Sequence, residues 1–303
     1  MKLQITLTSI FISLFFNNVY AISPNAADCN KAFEHEDVAA ATTAAKKALD
    51  IDKTDRDALI CQGRLLSVKD DLNGALAAFK AANEFSTDAF DKAVITLVTA
   101  HAYKTAKQFP QAISSYQQTI ELAQAAKHQG FERMSLVAIG DIYFQDKQYT
   151  QALEFFISAN KLDANDNERG ESYERVALTY HELNQHTLAL ESQLKAYFMH
   201  EKAGTLDQYA HSSIELGRYY TIEKNYASAE RILNKIINFA KKQGGAYFEA
   251  KGSIVLAQLK VAMGDTSSAK DLIEHAKLIA KNTNDQILDE EINKETQQLL
   301  DKN

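Results

Sequence analysis

Proline is almost missing from this chain of 303 residues. There are two prolines, no tryptophan, eleven glycines and two cysteines. Average usage is roughly 5% proline and 7% glycine. Sandwiches and barrels draw on both at their many turns, so the shortage argues against an all-β fold. A basic excess is also absent: 33 Lys and Arg stand against 40 Asp and Glu, a net charge of -7. That balance offers phosphate backbones nothing, and no nucleic-acid partner is expected. No glycine-rich phosphate loop, nucleophile motif or paired carboxylate occurs, so the chain is expected to be no enzyme and to need no cofactor. With 46% apolar residues spread along its length, it is equally far from disorder.

Only the N-terminus carries a long apolar run. Lys2 precedes the mostly apolar stretch Leu3 to Phe16, Asn17 and Asn18 end it, and Val19-Tyr20-Ala21 offers a cleavage position. These are the three parts of a secretory signal peptide over residues 1–21. The run is short of the ~20 apolar residues a spanning helix needs and is broken by Gln4, Thr6, Thr8 and Ser9. The expectation is an exported, periplasmic or secreted bacterial protein, not inserted in a membrane after signal cleavage.

The rest of the chain repeats. An alanine, a bulky residue four later and a small one seven later occur as Ala75, Phe79, Ala82 and again as Ala152, Phe156, Ala159. Anchor alanines in the same frame are Ala41, Ala75, Ala112, Ala152, Ala189, Ala229 and Ala269, spaced 34, 37, 40, 37, 40 and 40. Twelve before each anchor stands a small residue: Cys29, Gly63, Ala100, Gly140, Ala177, Gly217, Ala257. Nine before stand Ala32, Leu66, Tyr103, Tyr143, Tyr180, Tyr220 and Lys260. These offsets put small and bulky positions on facing sides of two helices per repeat, with the small residues letting the axes approach. Pro110 sits where a second helix begins, and Gly130, Gly204 and Gly244 are placed as C-terminal glycine caps. The extra residues of the longer repeats are expected to lengthen the second helix. Residues 285–303 carry a narrow stripe of Ile287, Leu288, Ile292 and Leu299, expected to form a capping helix for the stack, with a disordered tail as the alternative.

Gly140, Tyr143, Tyr149, Ala152, Phe156 and Ala159 show the pattern most fully, and it resembles the tetratricopeptide repeat (TPR) family. The resemblance implies an all-α solenoid over residues 22–284: a right-handed superhelix of about seven antiparallel helix pairs. Two departures stand out. Leu59, Leu136 and Tyr173 occupy the place of the family's tryptophan, and the proline after each second helix is missing. The longer spacings are similar to those of kinesin light chains and bacterial peptide-sensing regulators.

In such a stack the far side of each first helix lines a concave groove. On a helical wheel this stripe falls eleven, fifteen and eight residues before each anchor. It supplies Arg64, His101, Asp141 and Arg218; Ile60, Leu97, Val137 and Ile214; and Lys104 and Phe144. Arg64, Lys104 and Arg218 could meet carboxylates, and the apolar members could hold a peptide's anchors. Alternatively, the aliphatics pack between neighbouring first helices and the charges are only solvated. His181 and His186, in HELNQH, are five apart with a turn between them, so a zinc site on one helical face is not expected. Cys29 and Cys61 occupy nearly equivalent places on the first helices of two neighbouring repeats. Either they form a disulfide, as export would allow, or Cys29 is a free thiol filling a small packing position. The functional expectation is a scaffold or adaptor binding a protein or peptide in its groove. A ligand-sensing module working with a partner receptor is the alternative, and oligomeric state is left open.

Overall fold

The computed structural model describes residues 22–300, so the expected signal segment lies outside the described residues. Fifteen α-helices and no strand are found among them. The chain divides after Ser86 into two compact units. The first unit holds α1 (Pro24–Glu34), α2 (Val38–Ile51), α3 (Arg56–Val68) and α4 (Leu72–Glu84). The second holds α5 (Ala89–Thr105), α6 (Phe109–Ala125), α7 (Gln129–Gln145), α8 (Tyr149–Asn160), α9 (Asp166–Glu182) and α10 (His186–Ala203). It continues with α11 (Leu206–Ile222), α12 (Tyr226–Gln243), α13 (Ala246–Ala262), α14 (Thr266–Thr283) and α15 (Gln286–Leu300). Odd-numbered helices up to α13 are first helices, and each packs on the even-numbered one after it. No helix among the described residues is long and apolar enough to cross a membrane.

All seven anchor alanines are fully buried. Each faces its pair partner in a register that sequence alone can state. Where the small residue of the first helix is glycine, the second helix answers with a large side chain. A Cβ on Gly140 would lie 2.6 Å from the Phe156 ring, and one on Gly217 would lie 2.5 Å from Leu233. Gly63 is held in the same way by Phe79. The other pairs combine Ala or Cys with Ala45, Tyr116, Gln193 or Ile273. Gln193, buried at this position, donates to the Ser212 carbonyl at 3.0 Å, which satisfies its amide inside the stack.

The turn inside every repeat is the same device. Five residues before each anchor the backbone is left-handed, at Glu36, Asp70, Lys107, Lys147, Asn184, Lys224 and Gly264. The next residue's N–H returns to the carbonyl nine before the anchor, as in Gln148 to Tyr143 at 2.8 Å and Asn225 to Tyr220 at 2.8 Å. This is a Schellman closure of the first helix. The donating residue is also the N-cap of the second helix. Asp37, Asp71, Asn225 and Asp265 accept from a backbone N–H there, while Gln108, Gln148 and Gln185 do not. One short sequence thus ends one helix and starts the next.

Two expectations are corrected. Gly130 lies inside α7, where Lys127 carries the left-handed turn, and Gly204 is extended; of the three proposed caps only Gly244, at φ 74°, is left-handed. The added length also falls on both helices. First helices grow from 13 residues in α3 to 17 in α5, while α8 keeps 12 and α10 has 18.

Candidate functional site

The stripe facing away from the second helices is more occupied than a wheel suggests. Ile60, Leu97 and Ile214 are buried, at 7%, 6% and 3% exposure, and do not present a binding surface. Leu97 packs with Ala138, Ile139 and Ile142 of α7, and Ile214 with Val255 and Leu256 of α13. Neighbouring first helices absorb the aliphatic side chain fifteen before the anchor at Leu97 and Ile214. Val137 and Phe144 are half-buried. The Phe144 ring leans on Tyr149, 5.2 Å between centroids, beside Phe156 and Val176.

The charged members are each bonded to a polar side chain of a neighbouring repeat. In the first unit Arg64 lies over the Phe33 ring at 4.0 Å and donates to Asn30 at 3.3 Å. Burial lowers the pKa of its guanidinium, with Glu34 opposing. In the second unit Lys104 reaches Asp141 at 3.1 Å, and Arg175 approaches the same carboxylate at 3.8 Å. Arg218 donates to Gln258 at 2.7 Å and pairs with Glu215 at 3.2 Å and Glu295 at 3.1 Å. His101 has its Nδ1 at 2.8 Å from the hydroxyl of buried Tyr116. Burial, aided by Asp141, raises that phenol's pKa, so it stays a neutral hydrogen-bonding group.

Arg133 and Met134 of this face lie outside the positions that the repeat frame singles out. Arg133 on α7 donates to the fully buried carboxylate of Asp163 at 2.5 Å and to the Glu168 carbonyl at 3.3 Å, tying α7 to the α8–α9 turn and to α9. Its partners lie 30 and 35 residues away, a distance no helical periodicity signals. Met134 of α7 and Leu178 of α9 are on the stripe and remain open, at 44% and 43% exposure. Leu178 stands at an eleven-before position and Met134 eighteen before its anchor, so the wheel extended by one turn finds both.

The turn in HELNQH folds the two histidines together, with ring centroids 5.2 Å apart. Burial, then the charge of His186, depresses the His181 pKa. Their Nδ1 atoms are buried without hydrogen-bond partners. Among the described residues no group of three or more His, Cys, Asp or Glu could hold a metal ion. In the first unit Cys29 and Cys61 form a disulfide with Cα atoms 6.4 Å apart, joining α1 to α3.

Residues 135–166, from α7 into α9, match the tetratricopeptide repeat model. The chain thus carries a tetratricopeptide repeat there, and its described residues fold as an all-α, TPR-like solenoid of helix pairs. The TPR-sensor STAND protein from Pyrococcus horikoshii superposes with a TM-score of 0.74 at 16% identity, over 88% of this chain and 44% of that one. The apo form of RapI gives 0.70 at 15% identity, over 91% of this chain and 84% of that one. The TPR-like repeats of a putative kinesin light chain from Podosopora anserina give 0.55 at 18% identity, over 62% and 94%. At these identities the likeness shows the fold. No curated protein matches the sequence.

Proposed function

We propose that the chain is an exported scaffold that binds a protein or peptide partner on the first-helix face of its second unit. It does so without chemistry of its own. The observation that carries this is the contrast within one stripe. Its cations are engaged by neighbouring carboxylates and amides, while Met134 and Leu178 stand exposed. A partner therefore gains most by burying apolar side chains there and using the paired charges for alignment. Export rests on the three-part N-terminal segment, and the disulfide suits an oxidising compartment. The sensing alternative needs a relay element, and no observation favours it over the scaffold.

The test combines capture and mutation. The mature protein is used to isolate partners from its native envelope, and Met134→Asp and Leu178→Asp are compared with the unaltered protein. Loss of the captured partner in both variants, with unchanged helical content, supports the reading; equal capture overturns it. N-terminal sequencing of the expressed chain checks cleavage after Ala21.

A further inference from the structure

The last helix lies where a partner would. α15 packs on α13 and α14 as α13 packs on α11 and α12. Leu288 and Ile292, four apart, are buried against Ala250, Ile254, Ala269 and Ile273. Glu291 and Glu295, also four apart, point to the cations of the first-helix face. Lys251 of α13 pairs with Glu291 at 3.1 Å and Glu295 at 2.5 Å. Arg218 of α11 reaches Glu295 across 77 residues of sequence, and Gln258 donates to the same carboxylate at 3.2 Å. Tyr247 closes the set with its hydroxyl on Glu291. Burial alone would raise the Glu295 carboxyl, but Arg218 and Lys251 outweigh it and hold its pKa below the ordinary value.

We infer that this seat on α11, α13 and α14 is a binding site for acidic amphipathic helices, and that α15 is its occupant in cis. The inference rests on the proposed scaffold role and narrows the partner. The geometry specifies a helix with aliphatic residues at i and i+4 and carboxylates at i+3 and i+7. In α15 these are Leu288, Ile292, Glu291 and Glu295. The occupant is weakly held compared with its neighbours. α13 buries eight residues, whereas Ile287 of α15 is 70% exposed and the outward residues Asp289, Glu290, Asn293, Lys294 and Gln297 are polar and exposed. A lone helix of ~15 residues is marginal in water, so once lifted α15 loses its shape and leaves the seat open. An incoming helix with the same four side chains recovers the same pairs.

The test uses the chain's own helix as probe. A fluorescein-labelled peptide of residues 284–303 is titrated into three full-length proteins: wild type, Ile292→Asp, and Ile292→Asp with Arg218→Ala. The aspartate at a buried position lifts α15 in cis. The peptide is expected to bind Ile292→Asp at least tenfold more tightly than wild type. The added Arg218→Ala should weaken that binding by tenfold or more, and raised salt should weaken it further. Equal binding with and without Arg218 overturns the acidic recognition. No binding to an Ile292→Asp protein that has lost only the helicity of α15 overturns the seat. Should that variant not fold, hydrogen exchange on wild type decides: α15 amides exchanging a hundredfold faster than those of α13 support a detachable occupant, and equal protection refutes it. The probe comes from this chain, so failure here leaves the Met134 and Leu178 capture experiment standing, and the reverse holds.

Discussion

Replacing Gly140 by alanine tests the packing rule of the stack. In isolation the change should stabilise a helix, because alanine exceeds glycine by about 1 kcal/mol in a helix interior. Here the new Cβ would lie 2.6 and 2.7 Å from two carbons of the Phe156 ring. Reaching ordinary contact requires a shift of roughly an ångström. The ring cannot swing aside, since it is 3% exposed among Ala152, Val176, Tyr143 and Tyr180. Overpacking of this kind costs typically 1–3 kcal/mol. Subtracting the helix gain leaves a net loss of about 0–2 kcal/mol.

A double-mutant cycle separates the two terms. Phe156→Ala alone should cost about 3–5 kcal/mol through the cavity it leaves. In that background Gly140→Ala meets open space and should recover up to about 1 kcal/mol. The cycle is read from urea midpoints and slopes by circular dichroism. If Gly140→Ala stabilises equally in both backgrounds, the glycine is not kept by the ring. The pairing of glycines with large partners at Gly63, Gly140 and Gly217 would then need another cause.

Three other outcomes are expected. Lys147→Gly and Lys224→Gly, which relieve a left-handed backbone at repeat turns, should each stabilise by roughly 0.5–1 kcal/mol, measured by chemical denaturation; destabilisation would show the lysine side chains matter more than the turn. Reducing the Cys29–Cys61 bond, which spans 32 residues, should cost the first unit about 2–4 kcal/mol, and thiol titration of the unreduced, denatured protein should find none free. The depressed His181 pKa makes the neutral ring the favoured folded form, so its contribution is complete above an ordinary histidine pKa of about 6.5 and is lost as pH falls through the folded value. Thermal midpoints should therefore drop between pH 7.5 and 5, and His181→Gln should flatten that drop.

The helix pairs were legible because their determinants are local and recur. The anchor alanines and the small residues twelve before describe contacts within one repeat and recur in every repeat, and the aromatics nine before recur in four of them, at Tyr103, Tyr143, Tyr180 and Tyr220. Boundaries were less legible. Gly130 was placed as a cap because glycine usually supplies the left-handed position, yet the chain gives that position to Lys127. Lysine, asparagine and aspartate can take it when the Schellman bond and the next helix's start hold the backbone there. The division after Ser86 left no mark either, since the spacing from Ala75 to Ala112 is one the array uses elsewhere.

The site was legible only as a stripe, and the reason is physical. A helical wheel assigns a side chain to a face but knows nothing of the next repeat. Arg64, Lys104 and Arg218 lie on the face their positions imply, but each finds its partner about one repeat away, at Asn30, Asp141 and Gln258. Those partners stand in the same frame, eleven before their own anchors, so the ladder could have been found by aligning that one position down the array. Doing so also changes what a partner must offer. A ligand carboxylate meeting Arg218 has to displace one that is already bound and half-buried, so its charge adds little net affinity unless it brings apolar surface with it. Selectivity on this face then follows from side chains such as Leu178, which have no competitor in the chain, while the ionic ladder sets where along the stack such a side chain can land.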